Sequence, residues 1–254
     1  TLCLKSGNAV LLKGGSEAMA TNRILAEVVI GAAVEAGLPA DWAALLETRA
    51  EVHDMLKMDE YIDLIIPRGS NDFVRYIMEN SRIPVLGHAD GICHCYVDEE
   101  ADLETAARIV LDSKVQYVAV CNALETLLVH EKVAPEFLPA VKKLFDEHKV
   151  ELRGCPQTRA IIPAVPATEE DWKTEYLDYI LAVKVVAGIE EAVAHINKYG
   201  SGHTESIVTK SKEKAGFFMD HVDAGNVFWN CSTRFSDGFR YGFGAEVGIS
   251  TGKI

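Results

Sequence analysis

Short apolar runs bounded by glycine, proline and polar clusters alternate along the chain with longer stretches of helical period. Leu2 to Lys5 followed by Gly7-Asn8 reads as the last turn of a helix and its stop, leading into a strand over Ala9 to Leu12. Ser16 is placed to cap a long helix from about Glu17 to Glu35, where Ile24, Leu25, Val28, Val29 and Ala32 form one apolar stripe expected to be buried. Gly37-Leu38-Pro39 ends it. Trp42 to Leu46 reads as a second strand, and Thr48-Arg49-Ala50-Glu51 has the capping-box spacing of another helix start. Ile62 to Ile66 reads as a third strand, broken by Pro67-Arg68-Gly69-Ser70, with a helix over Asn71 to Glu79. Short strands joined by helices imply right-handed crossovers and a parallel sheet covered on both faces, with ligands at the strand ends.

From Ile83 the alternation resumes: a strand near 91–97, a helix from about Ala101 to Lys114, and a loop at Cys121 entering a strand over Glu125 to Val129. A helix near Phe137 to His148, a strand over Ile180 to Val186, a helix over Ile189 to Lys198 and strands near Ile207 and Val227 complete it. The expected organisation is α/β throughout. Residues 1–90 form the C-terminal part of a cofactor-binding domain on a parallel sheet, and residues 91–254 an α/β catalytic domain, with the boundary between about 85 and 100. The chain opens at Thr1 without methionine and closes on Gly252-Lys253-Ile254, so both domains are expected to be pieces, the first incomplete at its N-terminus and the second at its C-terminus.

Composition narrows the partners. A formal charge of −13 over 254 residues, with no basic run, argues against nucleic-acid and anionic-membrane surfaces and for a small ligand. Hydrophobic residues make up 48% of the chain, enough for a full core. Without a signal peptide or an uncharged apolar stretch of about 18 residues, no membrane span is expected. Six cysteines without a disulfide rhythm point to a reducing cytosol. Cys93-His94-Cys95 lies in a run, Ile92 to Val97, whose neighbouring side chains point to opposite faces of a strand, which favours a structural strand over a chelate. No metal is expected.

Cys121 is the candidate nucleophile. It precedes a polar step and an apolar β-rich run, a context that fits a turn or helix start, where amide N–H groups and the helix dipole favour thiolate. A buried core cysteine is the competing reading.

Blocks along the chain follow an order that resembles the aldehyde dehydrogenase superfamily: Ser6-Gly7-Asn8-Ala9-Val10-Leu11-Leu12-Lys13, Glu35-Ala36-Gly37-Leu38-Pro39, Gly69-Ser70, Glu99-Glu100-Ala101-Asp102-Leu103, Cys121 and Glu175. Within it the chain is similar to the γ-glutamyl phosphate reductases, or glutamate-5-semialdehyde dehydrogenases. That likeness runs through Ile65-Ile66-Pro67-Arg68-Gly69-Ser70, Val85 to His94, Cys121 to Leu128, Tyr199 to Glu205 and Phe228 to Gly238. The resemblance implies that Lys13 reaches the adenosine ribose or its 2′-phosphate, that Gly69 and Ser70 lie against the pyrophosphate of NADP, and that Glu175 holds the nicotinamide ribose. It implies that Asn230, Ser232, Thr233 and Arg234 meet the amino-acid end of the substrate, and leaves His203 at one remove from it.

The activity implied is NADPH-dependent reduction of L-glutamyl 5-phosphate to L-glutamate 5-semialdehyde and phosphate through a Cys121 thioester, in proline biosynthesis. A homo-oligomer is implied too, with room for association with glutamate 5-kinase. An oxyanion-binding asparagine and a His-Ala-Arg-Gly-Pro tail of the family have no counterpart within the chain. Where aldehyde-oxidising relatives carry Glu-Leu-Gly-Gly, with a glutamate that activates water, this chain has Val85-Leu86-Gly87-His88, and valine cannot act as a base. Three other readings stay open: a hydrolytic aldehyde dehydrogenase, a non-catalytic nucleotide-binding module, and the reductase unit of a bifunctional pyrroline-5-carboxylate synthase.

Overall fold

A computed structural model describes residues 2–88, 90–244 and 250–252; Ala89 of the Val85 to His94 block and the Lys253-Ile254 end lie outside them. Two compact units divide the chain, residues up to 65 with 79–84 in one, and residues 66–78 with 85 onward in the other.

In the first unit α1 (Leu2–Lys5) stops at Gly7, whose φ of 75° is in the left-handed region that glycine enters without a Cβ penalty. β1 (Val10–Lys13) pairs in parallel with β2 (Ala43–Leu46), so that Lys13 and Leu46 share the carboxyl end of the ladder. A helix, α2 (Met19–Glu35), crosses between them, and α3 (Arg49–Met55) follows. The capping box forms as expected: Thr48 Oγ1 accepts from the Glu51 amide and Glu51 Oε2 accepts from the Thr48 amide.

Three expectations fail in this unit. Ser16 opens a short 3₁₀ turn over Ser16–Ala18, and no side chain caps α2 at Ala18. The stripe expected to be buried faces outward, Ile24 being 61% exposed and Val28 62%. Ala26 and Ala33 are buried instead, Ala33 against Trp42 and Ala43, because small side chains let the helix approach the two strands closely. Ile62 to Ile66 is no strand: Ile65 makes one bridge, its amide donating to the Pro84 carbonyl. Pro67 and Pro84 lack the N–H groups a continued ladder needs.

The second unit begins with α4 (Asn71–Asn80), whose last two residues count with the first unit. It then alternates β3 (Cys93–Val97), α5 (Leu103–Val115), β4 (Leu124–His130), α6 (Ala134–Glu147), β5 (Glu151–Gly154), α7 (Pro156–Ile161), β6 (Val165–Pro166), β7 (Ile180–Val186), α8 (Ile189–Tyr199), β8 (Thr204–Val208), α9 (Lys212–His221) and β9 (Asn226–Trp229). All seven strands run parallel in the order β6-β5-β7-β4-β3-β8-β9.

Every residue of β3, β4 and β8 is buried, the signature of a sheet covered on both faces. Cys95, Val97, Leu127 and Val129 join Phe137, Leu138, Val141 and Phe145 of α6 in one core, while Tyr96, Leu128 and Ile207 meet Phe218 of α9 and Ile196 of α8 in another. Each large side chain so buried contributes about 1.5–3 kcal/mol. No helix of the described residues is long and apolar enough to cross a membrane.

Candidate active site

Cys121 sits in a tight turn immediately before β4, closed by the Ala123 amide donating to the Val120 carbonyl. Side chains from distant segments clamp its backbone. Thr233 Oγ1 donates to the Asn122 carbonyl at 2.7 Å, Asn122 Nδ2 donates to the Ser236 carbonyl at 2.8 Å, and the Cys93 thiol donates to the Cys121 carbonyl at 3.2 Å. Gly91 closes the remaining side: a Cβ there would stand 2.2 Å from the Cys121 carbonyl oxygen and 2.5 Å from its Cα.

The thiol itself is half-buried. Its pKa is pushed up, first by burial and then by the Glu175 carboxylate; the cysteine's own amide, Arg68 and Arg234 pull the other way. The expected turn is present, yet no helix begins at Cys121, and the dipole that would have lowered its pKa is missing.

Glu175 is tied to the start of α4. Asn71 Nδ2 donates to Glu175 Oε2 and to Asp90 Oδ1, both at 2.9 Å, and Arg75 Nη2 reaches Asp90 at 2.7 Å. Ser70 precedes this helix, its carbonyl accepting from the Val74 amide and its hydroxyl from the Phe73 amide at 3.4 Å. A loop in which Leu177 has a φ of 53° carries Glu175, and Glu125 anchors it by accepting from the Leu177 amide. Glu125 in turn bonds Lys114 at 2.7 Å, both side chains fully buried. Burial pushes the Glu125 carboxyl up to about 7, Lys114 opposing it, while burial pulls the Lys114 ammonium down. Gly69, Ser70, Glu175 and Cys121 therefore share one unit, with Asn71 at the start of α4 tying Glu175 to the helix that Gly69 and Ser70 precede.

The loop after β9 divides in its roles. Asn230, at a φ of 52°, uses its amide to hold Thr209, donating to that residue's carbonyl and accepting from its amide at 3.0 Å each. Ser232 Oγ accepts from the Ser113 hydroxyl at 3.1 Å and from the Arg234 amide. Thr233, fully buried, spends its hydroxyl on Asn122. Arg234 differs. Its Nε is buried without an acceptor among the described residues, and burial lowers its pKa, with Arg240 adding to the effect. Its charge reaches the Cys121 sulfur.

Lys13 belongs to the first unit, at the end of β1 as expected, with its ammonium on the Gly14 carbonyl beside a recess lined by Gly15, Asn22 and Glu47. Several residues around Cys121 were not singled out in sequence. Asn71 and Asp90 couple Glu175 to α4, and Arg68 acts electrostatically on the thiol. Gly91 and His88 both fall in the Val85 to His94 block, and His88 lies with His203 against Cys121. Only the fold brings these together, although all fall inside or beside the blocks quoted above.

The model of the aldehyde dehydrogenase family matches residues 1–160 and 153–245. The chain belongs to this family. Among its relatives, a gamma-glutamyl phosphate reductase of Pelotomaculum thermopropionicum is 74% identical over 254 residues, covering 100% of this chain and 58% of the relative. One from Acetivibrio thermocellus is 72% identical over the same span, 59% of its own length. The crystal structure of a gamma-glutamyl phosphate reductase from Thermotoga maritima superposes with a TM-score of 0.96 at 46% identity, covering 100% of this chain and 62% of that one. The chain thus spans about three fifths of the length of these members of the aldehyde dehydrogenase family. An acetylating aldehyde dehydrogenase from Geobacillus thermoglucosidasius, 20% identical with a TM-score of 0.69, shares the fold.

Proposed function

We propose that the whole protein reduces L-glutamyl 5-phosphate to L-glutamate 5-semialdehyde with NADPH, using Cys121 as the nucleophile. The observation that carries this reading is the rigid Cys121 turn, with its sulfur within the field of two arginines, one of which has an open buried donor. Attack of the Cys121 thiolate on the γ-carbonyl forms the C–S bond, the C–O bond to phosphate breaks, and a thioester remains on the sulfur. An anionic substrate entering beside Arg234 gives that guanidinium an acceptor, bidentate if the acceptor is a carboxylate. The Cys121 amide, which neighbours the sulfur, would donate to the oxyanion of the tetrahedral intermediate.

The residues present suit a dinucleotide. Gly69 offers bare backbone ahead of the ten-residue α4, whose first amides favour an anion, and Glu175 is positioned by Asn71 to accept from ribose hydroxyls. Lys13, by itself at the carboxyl end of β1, has the charge for an adenosine ribose phosphate. Bound NADPH supplies the hydride that reduces the thioester to the aldehyde.

Phosphate is then the acyl acceptor in the reverse direction, and water a poor one. Val85 stands where the resemblance implies the water-activating glutamate, so hydrolysis lacks that carboxylate's contribution, worth roughly 10²–10⁴-fold. Following NADPH formation from glutamate 5-semialdehyde with the complete protein, omission of phosphate is expected to slow steady turnover by about 100-fold or more. A rate that ignores phosphate would assign a hydrolytic dehydrogenase instead.

A further inference from the structure

We infer that His88, Cys121 and His203 form a three-ligand site for a divalent transition metal of the zinc type, and that a metal held there withdraws the Cys121 sulfur from reaction. This departs from the expectation, drawn from sequence, of no metal. It stands on ligand geometry and does not depend on the reductase reading.

One ligating atom from each residue lies within 4.8 Å of the others, and the two imidazoles meet edge to face at 4.7 Å between centroids. His203 is fully buried, with its Nδ1 2.8 Å from the Thr204 hydroxyl, while its Nε2 is buried with no partner among the described residues. A buried ring nitrogen without a partner costs free energy, and a metal ion is one group that removes the cost. Engagement of the other ring nitrogen by a hydroxyl is the arrangement that orients a metal-bound imidazole.

Zinc–nitrogen and zinc–sulfur bonds of about 2.0–2.3 Å put two nitrogens and a sulfur about 3.3–3.6 Å apart in a tetrahedron, so the three atoms need to draw together by about 1 Å. His88 and Cys121 are only half-buried, and side-chain rotation supplies that movement while His203 stays fixed. Two imidazoles and a sulfur, with no carboxylate, select zinc, cobalt or copper over magnesium and calcium. Three protein ligands leave a fourth position for water. On binding, the metal–sulfur bond forms and the thiol proton passes to solvent, so no oxidant or reductant is involved.

The test uses the complete, reduced protein with Zn²⁺ and, as a spectroscopic probe, Co²⁺. One equivalent of Co²⁺ should bind with a thiolate-to-cobalt charge-transfer band that is absent from Cys121→Ser. Zn²⁺ at about ten times its Kd should slow iodoacetamide labelling of Cys121, located by peptide mass, about tenfold, and a chelator should restore it. Removing one ligand by His88→Ala should weaken Co²⁺ binding at least about tenfold, and its unchanged labelling rate without metal would show that the fold is intact. His203→Asn serves as a second variant should His88→Ala unfold. Labelling of Cys121 that ignores Zn²⁺, a Co²⁺ complex without the sulfur band, or equal affinity in the folded variants would overturn the site.

Discussion

Cys121→Ala in the complete protein is expected to lower phosphate-dependent NADPH formation from glutamate 5-semialdehyde by roughly 10³-fold or more, since it removes the proposed carrier of the acyl chain. Stability should change little. The turn is held through the Cys121 and Asn122 carbonyls and the Asn122 amide, none of which the substitution touches, and the thiol is only half-buried. Cys121→Ser keeps the shape and should fail almost as badly, because a hydroxyl is far less ionised and a poorer nucleophile. Steady-state kinetics with a thermal melt separate loss of chemistry from loss of fold. Full activity in the alanine variant would remove Cys121 from the mechanism.

Gly91→Ala should cost about 10²-fold in kcat/KM without touching any chemical group, as expected when a reacting atom is displaced by about 1 Å. The added methyl would stand 2.2 Å from the Cys121 carbonyl oxygen and 2.5 Å from its Cα, and both neighbours belong to the backbone segment that presents the sulfur. Flexible side chains could swing away from such a contact; a turn clamped by Thr233, Asn122 and Cys93 cannot without moving Cys121. Overpacking adds about 1–3 kcal/mol of destabilisation. Gly216→Ala, in α9 with nothing within 4 Å of its Cβ, is the control and should be neutral or stabilising by up to about 1 kcal/mol. Equal activity in the two variants would show that the Cys121 turn tolerates displacement.

Much of the fold was legible wherever burial coincides with a simple period. β3, β4, β7 and β8 are strands of five to seven residues inside a two-sided sheet, and the apolar residues in them, such as Ile207 and Val208 of β8, let their sequences read as strands. The Thr48 capping box was readable because both of its partners lie within four residues. β5 and α7 were missed: Glu151–Gly154 has one apolar side chain in four residues, and α7 is six residues long, too short for a helical period to register. α9 was passed over for another reason, since its Ser211 cap precedes a run in which only Ala215 and Phe218 are buried. The α2 stripe illustrates the opposite error. Its large apolar residues have the period of a buried face, yet the alanine face is the one that meets the strands.

The site was legible at its centre and not in its supports. Cys121 stood out by its context, and Glu175 and Gly69-Ser70 through resemblance. That Asn230, Ser232 and Thr233 spend their polar atoms on Thr209, Ser113 and Asn122, leaving Arg234 open, depends on contacts between segments over 20 to about 120 residues apart. No local pattern records those pairings. The buried Lys114–Glu125 pair joins a helix to the next strand and reaches the Glu175 loop through the Leu177 amide, 52 residues from Glu125, and it too follows no helical or strand period.

The most direct measurement mixes the complete protein with glutamate 5-semialdehyde and NADP⁺ in the absence of phosphate, then quenches in acid and maps the peptides by mass. A thioester on Cys121, without the water-activating glutamate of the aldehyde-oxidising relatives, should give a single burst of NADPH, with a glutamyl adduct on the Cys121 peptide that disappears when phosphate is added. Continuous turnover without phosphate, or a burst that leaves Cys121 unmodified, would contradict the account.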